Sequence, residues 1–117
     1  MPENHSNLQL IRGTVDVLIL KALSWGPRHG YAISQWIKEV TDKALLIEEG
    51  SLYPALHRIA RKGWIESRWG VSDTGRRARF YELTDVGRER LASEVKHWRL
   101  YAGQIDRVLS VASWETD

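Results

Sequence analysis

The chain has 117 residues, which fits one domain with an appended arm, so a multidomain enzyme is not expected. Hydrophobic residues make up 43% and charged residues 27%, the proportions of a chain that folds around a core and not of a disordered or collagen-like one. The absence of cysteine excludes disulfide scaffolds, thiolate metal sites and thiol nucleophiles, and nothing calls for an oxidising compartment, so a cytoplasmic location is expected. The net charge of +2 says little, but its distribution says more. Between Glu49 and Arg79, seven basic residues (Arg58, Arg61, Lys62, Arg68, Arg76, Arg77, Arg79) stand against three acidic ones (Glu49, Glu66, Asp73), while the remainder is slightly acidic. One face suited to a polyanion is implied, although a solvated basic surface would give the same count.

In chain order, the opening Met1 to Asn7 is polar, with neither a basic start nor an apolar run. Residues 1–12 are therefore expected to form a flexible arm rather than a signal or transit peptide. No stretch approaches the ~18 apolar residues of a membrane span, so no membrane partner is expected. A first helix is predicted over 14–25, where Val15, Leu18, Ile19, Ala22 and Leu23 form a buried stripe. Val17 and Leu20 are apolar on its other side, which calls for a second burial surface in a partner subunit. Gly26-Pro27 ends this helix, since proline cannot continue the ladder.

A second helix is predicted over 30–40, with Ile33, Trp36, Ile37 and Val40 inward. His29-Gly30-Tyr31 before it reads as turn chemistry and packing, and Trp25, Trp36 and Trp64 read as core. Leu45-Leu46-Ile47 is compatible with a small strand. A third helix is predicted over 51–62, with Pro54 in its first turn and a stop at Gly63. Two aromatic-rich runs, 64–69 and 78–84, joined by the glycine-bearing linker 70–75, predict a β-hairpin. Thr84-Asp85 has the character of an N-cap with an acidic first turn. The final helix, 85–112, carries Leu91, Val95, Trp98, Ala102, Ile105, Leu109 and Ala112 at alternating spacings of four and three, the seam of a coiled coil.

Helix, helix, helix, hairpin and long helix is the order of a winged helix-turn-helix, a mainly α (α+β) fold. The DNA-binding domain is expected over 13–84 and a dimerisation helix over 85–112. On the third helix Leu52, Leu56 and Ile59 fall on one side. Pro54, His57, Arg58 and Arg61 fall on the other, with Lys62 at the end. Such a helix fits a major groove, where arginine bonds guanine bidentately; ordinary solvated arginines are the competing reading. Arg76, Arg77 and Arg79 beside the hairpin tip suit phosphate or a narrow minor groove. Ser51 and Tyr53 suit phosphate, with partial burial the alternative for Tyr53.

The seam, together with Val17 and Leu20, implies a homodimer. Leu91, Val95, Trp98, Ala102, Ile105 and Leu109 form its interface, and two recognition helices ~34 Å apart would read an inverted repeat on double-stranded DNA. Trp98 faces its twin mid-seam and, flanked by Tyr101, suits a planar aromatic effector; a plain seam residue is the bland alternative. His5, His29, His57 and His97 lie in four separate segments without a hydrolase, metalloprotease or P-loop motif, so no catalysis, metal or cofactor is expected. A winged helix used for protein contacts, without specific DNA readout, is the rival function; it leaves the arginine wing unexplained.

Gly13-Thr14 with Leu20 and Leu23, His29-Gly30-Tyr31, the run Glu49 to Arg58 (EGSLYPALHR), Gly63-Trp64-Ile65, and Gly75-Arg76-Arg77 through Tyr81-Glu82-Leu83-Thr84 together resemble the PadR family of bacterial transcriptional regulators over nearly the whole chain. The resemblance implies a homodimeric repressor released by a small molecule or other signal. It points to the short branch of the family, which has a single C-terminal helix. The helix near Ser51 would then enter the major groove and the loop at 70–75 would form the wing tip. Ala60 departs from the pattern, standing where the family often has an acidic residue, which makes this helix more basic.

Overall fold

The computed structural model describes residues 13–114; the expected arm, 1–12, lies outside the described residues. Helix α1 (Thr14–Ala22) follows Gly13 and tightens into a 3-10 turn at Leu23–Trp25, so the continuous helix expected over 14–25 ends in a narrower last turn. Strand β1 (Arg28–His29) leads directly into α2 (Gly30–Val40), capped by the His29 imidazole, whose Nδ1 accepts from the Ala32 amide at 3.2 Å. This matches the turn chemistry expected of that segment.

Beyond α2, Asp42 and Lys43 both adopt positive φ and their amides return to the Glu39 and Lys38 carbonyls, a Schellman closure made without glycine. The chain then runs irregularly to α3, and the strand expected at Leu45-Leu46-Ile47 is absent. The Leu45 amide bonds the Thr41 hydroxyl at 3.0 Å, while Ile47 is buried and Leu45 packs on the core. Their apolar character serves packing, and the third place in the sheet is taken by β1.

Helix α3 (Glu49–Arg61) begins two residues earlier than expected. Pro54 is therefore at the sixth helical position rather than in the first turn, where it removes the bond that would have reached the Gly50 carbonyl. Gly63, at φ 80°, closes the helix, its amide bonding Ala60 and the next amide bonding Ile59. Strands β2 (Ile65–Val71) and β3 (Arg77–Leu83) pair antiparallel with Ile65 opposite Leu83 and Val71 opposite Arg77; β1 lies on the other side of β3. Helix α4 (Asp85–Leu109) stops three residues short of the expected end. Its N-cap is Thr84, as expected: the side chain accepts from the Gly87 amide at 3.0 Å and donates to the Gly63 carbonyl at 2.7 Å.

One core joins Ile19, Leu20 and Leu23 of the first segment, Ile33 and Ile37 of α2, Leu52, Ala55, Leu56 and Ile59 of α3, and Ile65, Tyr81 and Leu83 of the hairpin. Leu20, assigned from the sequence to a subunit interface, is fully enclosed in its own chain's core and presents nothing to a partner. Two expected core residues are exposed. Val40 ends α2 where the chain turns away from the core. Trp25 is carried outward by the 3-10 turn and packs its ring on Trp36, with the Lys21 ammonium 4.7 Å from its centre. Trp36 and Trp64 pack against the core as partly buried side chains.

Candidate nucleic-acid interface

Helix α3 divides cleanly. Leu52, Ala55, Leu56 and Ile59 are buried, while Ser51, Tyr53, Pro54, His57, Arg58, Arg61 and Lys62 are exposed at the surface. The helix is held by its apolar side against α1, α2 and the start of β2, so its polar side is presented outward. The exposed cations are not equivalent. Arg58 reaches back to α1, where its guanidinium pairs with the Asp16 carboxylate. Lys62 turns toward the base of the hairpin, its ammonium 4.6 Å from the centre of the Trp64 ring, which also receives Arg90 from α4 at 4.8 Å. Arg61 has no carboxylate partner among the described residues.

The hairpin turns through 72–76, a shorter loop than the 70–75 expected, closed by the Gly75 amide on the Ser72 carbonyl and the Ser72 amide on the Arg76 carbonyl. Gly70 belongs to β2, where a Cβ would come within 2.9 Å of the Phe80 ring. Arg76 stands at the exposed tip. Because side chains alternate along a strand, Arg77 and Arg79 share a face with Trp69, and their guanidinium carbons lie 4.3 and 4.9 Å from its indole centre. On the opposite face Arg68 is neutralised by Glu82.

The two basic elements meet. A cleft of about 270 Å³ is lined by His29, Gly30, Tyr31, Tyr53, Arg77, Ala78, Arg79 and Tyr81, so the start of α2, Tyr53 of α3 and two arginines of β3 border one space. Tyr53 is about 41% exposed and rests over Gly30, where a Cβ would meet its hydroxyl at 2.7 Å. Tyr53 is thus half-exposed, with the hydroxyl end of its ring packed on Gly30. Burial pushes the Tyr81 phenol above its ordinary range; the Arg79 charge opposes this and Tyr53 adds to it. Tyr31, read from the sequence as packing, is largely exposed at the rim, and Trp69 was not singled out at all. Trp69 stands opposite Arg79 across the hairpin, a pairing that only the strand register reveals.

Helix α4 lies against α1, and its later turns are mostly exposed among the described residues. Leu91 packs on the core, Val17, Val95 and Ala102 are partly buried, and Trp98, Tyr101, Ile105 and Leu109 are open, Leu109 being 77% exposed. A second cavity of about 290 Å³ is lined by Gly13, Thr14, Val17, Glu94, His97, Trp98 and Tyr101. The Trp98 and Tyr101 rings lie 6.3 Å apart at 41°, and His97 stacks with Tyr101. Among the described residues no helix is long and apolar enough to cross a membrane.

A three-helix core, a basic exposed third helix and an arginine-bearing hairpin beside it define a winged helix-turn-helix protein. Comparison with known proteins agrees with that class and narrows it. The model of the transcriptional regulator PadR-like family matches residues 19–93, and the chain belongs to that family, whose members are regulators rather than enzymes. It is similar to a transcriptional regulator from Clostridium thermocellum, with 34% identity, 82% of this chain and 90% of that one covered, and a TM-score of 0.74. A PadR family transcription regulator from Clostridium difficile R20291 matches with 30% identity, 84% and 100% coverage and a TM-score of 0.70. PadR of Bacillus subtilis, a negative transcriptional regulator, is 30% identical over 62% of this chain, which spans 40% of that protein's length. Its crystal structure in complex with operator DNA matches at 27% identity and a TM-score of 0.62, over 70% of this chain and 46% of that one.

Proposed function

We propose that this regulator is a cytoplasmic homodimeric repressor that reads an inverted-repeat operator. Helix α3 enters the major groove, and the wing bears on phosphate or the adjoining minor groove. The observation that carries this reading is the common cleft, in which Tyr53 on the outward side of α3 and two arginines of the wing without carboxylate partners border one space. In this reading Arg61 and His57 face base edges, Arg58 works from the flank it shares with Asp16, Ser51, Tyr53 and Pro54 meet the backbone at the helix start, and Lys62 adds charge behind them. Arg76, Arg77 and Arg79 hold the second strand. The Bacillus subtilis relative solved on operator DNA supports the DNA partner, and its designation as a negative regulator supports repression.

The interface is formed by Val17, Leu91, Val95, Trp98, Ala102, Ile105 and Leu109, with Leu20 left out. The exposed apolar length of α4 supports this, since each large apolar side chain fully buried there stabilises by ~1.5 to 3 kcal/mol. The cavity beside Trp98 and Tyr101 supports a small aromatic effector as the releasing signal.

The test is fluorescence anisotropy with the protein's own upstream DNA at several salt concentrations. If about half of the fourteen basic residues in the two Glu49 to Arg79 segments meet phosphate, log affinity falls against log salt with a slope near −6. A flat salt response would establish a protein-contact module instead. Arg61→Ala should lower affinity by ~1 to 3 kcal/mol and relax discrimination at one base position. Elution as a monomer at micromolar concentration would remove the interface.

A further inference from the structure

The wing distributes its charge unevenly, and one aromatic residue underlies the difference. Across the β2·β3 ladder Trp69 stands opposite Arg79 and Val71 opposite Arg77. Alternation puts these four on the face that nearer the core carries Ile65, Tyr81 and Leu83, all buried. On this face both guanidiniums lie against the Trp69 indole, and neither has a carboxylate within ion-pair distance among the described residues. Arg79 has one further side-chain contact, with the Ser67 hydroxyl at 3.5 Å. The indole itself is 53% exposed, so it is not held in place by burial in the core.

Two like charges gathered on one indole repel one another, and an exposed arginine ordinarily samples many rotamers. The negative face of an indole attracts a cation, so Trp69 offsets the repulsion and restricts both side chains before any ligand arrives. Restriction in advance lowers the ordering cost at binding. The direction of restriction matters as well, because Arg77 and Arg79 line the cleft they share with Tyr31 and Tyr53.

We infer that Trp69 is a positioning residue for DNA binding: its indole holds Arg77 and Arg79 as a preformed pair of phosphate ligands facing the cleft beside α3. The inference rests on the DNA-binding reading above. Trp69 acts through the arginines, and its own ring makes no base contact.

The experiment is an anisotropy titration of two labelled duplexes, the protein's upstream region and a random sequence of equal length. The proteins are wild type, Trp69→Phe, Trp69→Leu, Trp69→Met, the Arg77→Gln/Arg79→Gln pair, and that pair combined with Trp69→Leu. Thermal midpoints check folding, and the half-exposed position leaves three substitutions from which to read a folded variant. Loss of the ring in Leu or Met should weaken binding to both duplexes by roughly tenfold, from the restored ordering cost of two arginine side chains. The salt slope should stay unchanged because every cation remains. Phenylalanine should restore affinity to within about threefold. In the Arg77→Gln/Arg79→Gln background, Trp69→Leu should change affinity by less than about twofold.

An undiminished effect of Trp69→Leu in that background would mean the ring touches DNA itself and would overturn the inference. So would failure of phenylalanine to rescue, or no loss in Leu and Met. If wild type binds neither duplex with a steep salt response, the DNA-binding reading fails; if wild type binds steeply and the ringless variants bind equally well, only the role of Trp69 fails.

Discussion

Gly87 offers a sharp test of how α4 is joined to the wing, because the usual effect of the substitution is reversed there. Gly→Ala inside a helix ordinarily stabilises by about 0.5 to 1 kcal/mol. At Gly87 an added Cβ would lie 1.9 Å from the Trp64 carbonyl oxygen and 2.9 Å from its carbon, with Leu83 Cδ2 at 3.2 Å. The obstacle is backbone, and it is tied down: the Trp64 carbonyl accepts from the Thr84 amide at 3.1 Å and from its hydroxyl at 3.1 Å. Overpacking of this kind costs ~1 to 3 kcal/mol, and each hydrogen bond loosened costs about 1 kcal/mol more. After the helix-propensity gain, a net loss of roughly 2 to 3 kcal/mol is expected for Gly87→Ala. At 4 to 8 °C per kcal/mol this lowers the melting midpoint by on the order of 10 to 20 °C. Circular dichroism melts at matched protein concentration measure it, since any self-association makes the midpoint depend on concentration. Gly50→Ala is the control: a Cβ there meets nothing within 4 Å, and the midpoint should rise slightly. A midpoint for Gly87→Ala equal to or above wild type would refute the close approach of α4 to the backbone at the start of the wing.

Three further outcomes are expected. Tyr81 has a folded pKa above its ordinary 10.0, chiefly through burial, while the unfolded phenol ionises near ~10. The folded state therefore holds this proton longer, and stability present below pH ~10 declines as pH rises through the window above it. Urea titrations from pH 9 to 11 should show a steeper decline for wild type than for Tyr81→Phe; parallel declines would contradict the burial. Gly30→Ala should displace the Tyr53 ring, whose hydroxyl lies 2.7 Å from the added Cβ. The far end of a half-exposed side chain yields easily, so DNA affinity should drop severalfold with a midpoint shift of only a few degrees, and unchanged affinity would remove Tyr53 from the interface. Asp16→Asn should free Arg58 from its partner, strengthening DNA binding severalfold with a slightly steeper salt slope; weaker binding would mean that the pair positions Arg58 instead.

What the sequence made legible is what local chemistry determines. The stripe of Leu52, Leu56 and Ile59 gives α3 its buried side, Thr84 caps α4 through a bond three residues away, and Gly63 takes the left-handed turn its position requires. What stayed hidden depends on distant partners. Strand β1 is two residues long, and nothing in Arg28-His29 marks a strand except the edge of β3 beside it. Leu45-Leu46-Ile47 carries the apolar character of a strand but pairs with neither β1 nor β2 at the sheet edges; Ile47 is buried and Leu45 packs on the core instead. Leu20 shows the same limit from the other direction: apolar residues around a whole helix signal two burial surfaces, but here α1 is enclosed by its own chain at that position.

The basic surplus between Glu49 and Arg79 shows why counting charge and placing it are different operations. Of its seven cations, Arg58 and Arg68 are neutralised by Asp16 and Glu82, and Lys62 is drawn onto Trp64. Arg61, Arg76, Arg77 and Arg79 have no carboxylate partner among the described residues. Two of these neighbours, Asp16 and Trp64, are read in the sequence only as parts of other elements, and Glu82 is within hydrogen-bond reach of Arg68 only because the strands register as they do. Four such cations per chain make eight in a dimer, and at about 0.9 per phosphate neutralised the salt slope would be near −7. Both counts give a similar expected slope, the second from a named subset of four of the seven cations. Asp16→Asn separates the two accounts, because it changes which cations are available without adding a basic residue to the chain.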